Sequence, residues 1–125
     1  MAKAKIAAIV GEASIRKEMR GEGDRDSTAL ATRYLLQLLA EKAPGHSVEV
    51  RVPPFGAVQV VGGPGHTRGT PPNVVEMDAA TWIALATGAL DWAAAIAEAR
   101  VVASGTRADL SEFLPISWEN PALPA

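Results

Sequence analysis

The chain has 125 residues, a formal charge of −2 and no cysteine. That length suits one folded unit that buries roughly two thirds of its unfolded surface without covalent staples. The missing thiols exclude disulfides, cysteine nucleophiles and thiolate metal sites, and the slightly acidic balance lacks the electrostatic footprint of a nucleic-acid binder.

The start, MAKAKIAAIV, is weakly basic and briefly apolar, but the charged run GEASIRKEMRGEGDRD follows it, with no cleavage pattern. No apolar run approaches the ~20 residues of a bilayer span. The expectation is a cytoplasmic protein with no stable membrane insertion. Ile6, Ile9, Val10, Ala13 and Lys17 recur at helical offsets, so Lys3 to Arg20 reads as a solvated amphipathic helix, with Gly11 costing about 1 kcal/mol against alanine. GEGDRD (21–26) is a polar break. Asp26 or Ser27 can then cap ALATRYLLQLLAEK, whose Leu30, Tyr34, Leu35, Leu38 and Leu39 share one apolar face before Pro44-Gly45 stops the helix.

From Ser47 the period changes to two. SVEVRV sets Val48, Val50 and Val52 against Glu49 and Arg51, as a strand with one wet face does. Pro53-Pro54 interrupts the ladder, and FGAVQVV resumes as a second strand whose short connection favours antiparallel pairing. NVVEM (73–77) is a third strand. Asp78 caps AATWIALATG, stopped at Gly88, and LDWAAAIAEA (90–99) is a second alanine-rich helix with Asp91 at its positive end. RVVASG (100–105) returns to strand character, ADLSEFLP forms a short closing helix, and ENPALPA (119–125) is an unstructured tail. These elements give an α+β arrangement with Val48, Val50, Val52, Val58, Val60, Val74, Val101, Leu35, Leu38, Trp82, Leu85 and Leu110 inside.

Residues 62–73, GGPGHTRGTPPN, lie between the second and third strands. A dinucleotide loop needs its glycines at a strand-to-helix turn, and here Pro71-Pro72 and another strand follow. A Walker loop needs lysine after its last glycine, where Thr70 stands. The stretch therefore reads as a long hairpin connection, with a pocket-rim or interaction role as the alternative. His46 and His66, the two histidines, have no nucleophile or ligand cluster at a telling spacing and read as surface residues. Arg68 is a solvated arginine by default and a bidentate partner for an anionic head group otherwise. Trp82, Trp92 and Trp118 are core residues first; beside alanines they could also wall an apolar cavity.

Thr81 to Leu114, read as the ordered blocks WIALATG-ALDW, AAAIAEA, RVVASG and TRADLSEFL, resembles the sterol-carrier-protein superfamily. VRVPPFGAVQVV, HTRGTPPNVVE and SEFLP extend the likeness over about residues 28–118, and it looks closest to the small bacterial orthologues of actinobacteria. The sequence departs from the pattern at Ala99, where a glycine commonly precedes the last strand, and at Thr106, where an acid commonly follows Gly105. The resemblance implies a sterol-carrier-like domain over 27–118. It would hold one mostly antiparallel sheet of four to five strands with helices packed on one face, preceded by a helix and polar linker over 1–26. It implies no catalytic residue; the expectation of no cofactor and no metal comes from the lack of any ligand cluster, nucleophile–base pattern or cofactor loop in the sequence. It implies an apolar tunnel for a lipid, fatty acyl or sterol-like molecule, here contacted by Trp82, Ile83, Trp92 and Ile96, with Arg68 and His66 at the head group. The other reading is an accessory module related to the C-terminal domain of thiol-dependent maleylpyruvate isomerases, with no ligand of its own.

Overall fold

A computed structural model describes residues 5–63 and 73–119. The valine-alternating segment forms β1 (Val48–Val52) at the centre of the sheet. β2 (Gly56–Val60) pairs antiparallel on one side, β3 (Asn73–Met77) parallel on the other, and β4 (Val101–Ser104) antiparallel to β3, in the order β2-β1-β3-β4. Two of three pairings are antiparallel, and the strand count is four. The inward set, Val48, Val50, Val52, Val60, Val75 and Met77, is buried; the outward Glu49, Arg51, Val74 and Glu76 are half-buried. The sheet thus has one packed face and one wet face, as antiparallel-rich sheets commonly do.

The helices supply the other layer. α1 (Ala8–Met19) and α2 (Arg25–Lys42) form an antiparallel hairpin, and α2 lies over β2 and against α3 (Ala79–Thr87). The short α4 (Trp92–Ala97) precedes β4, and only the single 3-10 turn Ser111–Phe113 stands where a closing helix was expected. Asp78 and Asp91 cap α3 and α4 by accepting the Thr81 and Ala94 backbone N–H groups at 2.8 and 2.7 Å, and Gly88 ends α3 in the left-handed region. Ala99, where the family pattern favours glycine, has φ +57°. That left-handed backbone is the one glycine adopts without a Cβ penalty.

The α1–α2 turn is held by polar side chains. The Glu18 carboxylate accepts the Ser27 and Thr28 hydroxyls, each at 2.6 Å. The cap of α2 is Asp24, neither Asp26 nor Ser27. Asp24 Oδ1 accepts from Ser27 N at 2.8 Å while Ser27 Oγ accepts from Asp24 N at 2.8 Å, a reciprocal box that starts the helix two residues early. Lys17 donates to Asp24 Oδ2 at 2.9 Å, and this bond with the Ser27 N–H holds the Asp24 carboxyl down at about 2. Asp78 and Asp109 are lowered by the backbone N–H groups of Thr81 and Ser111. In each case the folded value lies below the unfolded one, so the stabilisation is complete above the usual carboxylate range and vanishes as the pH falls through the folded value. Thermal melts from about pH 6 to pH 2 should show stability falling on the acid side. Asp24→Asn, which keeps a capping oxygen and removes the charge, should flatten that fall. An acid limb unchanged in Asp24→Asn would remove the pair from the account.

The expected hairpin between β2 and β3 is not formed. Val60 and Asn73 both lie beside Val48, on opposite sides of β1, so β2 and β3 do not pair, and most of the connection between them lies outside the described residues. The described residues at its two ends are fastened. Val61, at φ +66°, donates its N–H to Ala43 O at 2.7 Å and accepts from Ser47 N at 3.0 Å. The buried Asn73 donates to Ser47 O and accepts from Arg107 N, both at 2.9 Å, while Arg107 Nη2 reaches Gly62 O at 3.4 Å.

Candidate functional site

Buried side chains from both layers meet between helices and sheet. Trp82, Leu35, Leu39, Val48, Val50, Val52 and Val60 are fully buried, and Leu36 and Leu85 nearly so. The Trp82 indole N–H donates to Thr32 O at 3.2 Å, which anchors α3 to α2 through the core. Trp82 is therefore a core side chain. Ile83, nearly buried, lines a shallow cleft with Met19, Ala80 and Ala84 between α1 and α3. Trp92, half-buried, lines a different cleft of about 400 Å³ with Leu85, Leu90, Leu114 and Pro115. Ile96 is 43% exposed on the outside of α4. The structure does not gather these four residues at one place, and His66 and Arg68 lie outside the described residues. His46 is exposed, its ring Nδ1 2.9 Å from Gln59 Oε1. Among the described residues no three His, Cys, Asp or Glu side chains group as a metal site.

A further apolar cleft, of about 370 Å³, opens where α2 leans over the β2 edge of the sheet. Leu30, Leu36, Phe55, Gly56, Ala57 and Val58 line it together with Ile6 of the N-terminal segment. The Gln37 side chain holds that segment in place by accepting the Ile6 N–H at 2.9 Å and donating to Ile6 O at 3.1 Å. One amide thus satisfies both backbone groups, as a neighbouring strand would. Gly56 matters by what it leaves open: a Cβ there would stand 3.4 Å from Leu36 Cδ1 and 3.7 Å from Arg33 Cγ. Two basic side chains border the cleft: Arg33, whose Nε donates to Phe55 O at 2.8 Å, and Lys5, which pairs with Glu41 at 3.4 Å. Outside the lining, the Arg25 guanidinium lies 5.3 Å from the Phe55 ring centroid.

Sequence reading missed this cleft. In sequence Phe55 reads only as the start of a strand, and the Ile6–Gln37 clasp joins positions 31 residues apart with no local signal. The one available hint was a glycine opening a strand beside an aromatic, since such a glycine often marks a close approach or an open space.

A four-stranded sheet with a helical layer on one face defines an open-faced α+β domain. The bacterial SCP (sterol carrier protein) orthologue family matches residues 24–116, nearly three quarters of the chain, and the protein belongs to that family. No curated protein matches the chain. α1 and the segment carrying Lys5 and Ile6 precede the matched range. Among the described residues no helix is long and apolar enough to cross a membrane.

Proposed function

We propose that this domain binds a hydrophobic small molecule without transforming it, in the cleft between the N-terminal segment, α2 and β2. The observation that carries this reading is the set of apolar side chains, Ile6, Leu30, Leu36, Phe55 and Val58, turned toward an open cleft beside the buried core. A pocket of a few hundred Å³ with an apolar lining and few polar groups is the usual form of a small-molecule site. Membership of a sterol-carrier family supports the same class of ligand. The Trp92 cleft is the second location for such a ligand, with Trp92 on its wall.

The test is calorimetric titration of the parent and of Gly56→Val with dodecanol, after native mass spectrometry of freshly purified protein for a retained lipid. Valine at an edge-strand position with ordinary contacts around its Cβ keeps the fold and fills part of the cleft. Affinity should fall about tenfold or more, as when one apolar contact surface of a pocket is lost. Unchanged binding in Gly56→Val would move the ligand to the Trp92 cleft, where tryptophan emission would follow it. A parent that binds no apolar ligand would leave the other reading, an accessory interaction module. The exposed Ile9 (60%) and Val10 (46%) on α1 favour that alternative.

A further inference from the structure

We infer that residues 5–6 form a hinged strap over the cleft, latched to α2 by the Gln37 amide, and that ligand enters and leaves when this latch opens. The inference rests on the small-molecule reading above and adds how the site is opened. Its basis is a difference between the walls. Phe55, Gly56 and Val58 belong to the β1–β2 hairpin, where Phe55 N donates to Val52 O at 2.9 Å and the ladder sets Gly56 and Val58 opposite Val52 and Val50. Leu30, Leu36 and Gln37 stand on α2. Both of these walls are held by regular backbone bonding. Lys5 and Ile6, by contrast, make no backbone–backbone hydrogen bond among the described residues. From Ala7 the chain is held again, because Ala7 O accepts the Val10 and Gly11 N–H groups at 3.1 and 2.9 Å as α1 begins. The pivot therefore falls between Ile6 and Ala7, at the end of an element, where hinges commonly lie.

A stripe of α2 fastens the strap. Arg33, Gln37 and Glu41 recur every four residues and so share one face of the helix. Arg33 bonds the fixed wall at Phe55 O, while Gln37 and Glu41 take the strap. The two fasteners differ in weight. The Lys5 side chain is 79% exposed in its pair with Glu41, and exposed pairs of this kind contribute little. The Gln37 bonds to Ile6 N and Ile6 O are part-buried, and one side chain makes both, so a single rotation releases both. Gln37 is therefore the latch. Ile6 is half-buried, packs at the border of the core and lines the cleft, so a strap lifted from Gln37 takes one apolar wall with it. Local opening of this kind belongs to segments with few backbone bonds and few buried contacts. The strap precedes residues 24–116, so the gate lies outside the family-matched part of the domain.

The experiment compares the isotope-labelled parent with Gln37→Met by nuclear magnetic resonance. Methionine is as good a helix former as glutamine and removes both bonds, so thermal melts should show the variant folded. Without ligand, the Ile6 amide should exchange with solvent about tenfold faster in Gln37→Met. Titration with dodecanol, read from the line shapes of the Ile6, Gly56 and Ala57 amides, gives the association and dissociation rates. Both rates should rise together in Gln37→Met, each about threefold or more, with affinity changed less than either rate. Loss of a contact alone would raise the dissociation rate and leave association as it was. Gln37→Glu, which keeps an acceptor for Ile6 N and loses the donor to Ile6 O, should fall between parent and Gln37→Met. An association rate unchanged in Gln37→Met overturns the gate, and so does an Ile6 amide that exchanges equally fast in parent and variant. A parent in which dodecanol moves none of these signals overturns the small-molecule reading, and the gate falls with it, a result distinct from unchanged rates in a protein that binds.

Discussion

Trp82→Ala should cost about 3–5 kcal/mol, the usual range for a fully buried aromatic. On a domain whose total stability is on the order of 5–15 kcal/mol, that removes a large share. The melting temperature should fall by on the order of 10–20 °C. The indole is fully buried, and its N–H reaches Thr32 O, so the truncation leaves a cavity between α3 and α2 and removes the bond that ties the two helices together. Trp82→Phe keeps most of the volume and should lose only part of that amount. Denaturant and thermal melts of both variants check the prediction. A Trp82→Ala protein melting within a few degrees of the parent would return this side chain to the wall of a cavity, the alternative its sequence context left open.

Gly11→Ala should also destabilise, although alanine is the better helix former by about 1 kcal/mol. A Cβ built on Gly11 would collide with the ring of Tyr34, so α1 lies on α2 at a distance that suits glycine. Tyr34 has little room to give: it is 4% exposed, and burial pushes its phenol pKa up, with Glu12 and Glu41 adding to the shift. Overpacking of this kind costs about 1–3 kcal/mol and can shift the helix pair apart. The propensity gain is smaller, so the sign should be a net loss. Gly11→Ala/Tyr34→Leu should recover part of it, and a chemical-denaturation cycle of the two changes reads the coupling directly. A Gly11→Ala protein more stable than the parent would mean that the helices separate without penalty.

What could be read from the sequence was mostly what short-range chemistry decides. Asp78, Asp91 and Gly88 bound their helices as their residue types demand, and the alternation of Val48, Val50 and Val52 fixed which face of β1 is inside. The errors came where a distant group decides. NVVEM offers two adjacent valines, and Val75 points inward, not Val74, because Asn73 takes the preceding inward position with bonds to Ser47 and Arg107. Asp24 and Asp26 are both plausible caps, and only the hydroxyl of Ser27, itself gripped by Glu18, selects Asp24. Leu38 and Val58 are half-buried although both were expected inside, while Leu36 is in the core. The cleft beside Phe55 depends on where the N-terminal segment comes to rest, which no local pattern encodes.

The position of β1 between two strands that follow it in the chain constrains the order in which the molecule can assemble. β1 and β2 meet across Pro53–Phe55, a short closure that costs little entropy. β3 joins on the side of β1 away from β2, and its parallel pairing gives no local turn from which to zip. Asp78 alone separates β3 from α3, so strand and helix arrive together and bring Trp82 to Thr32 in the same event. The largest side chain of the core is thus delivered late, onto a hairpin and an α1–α2 pair that can already have formed by local contacts.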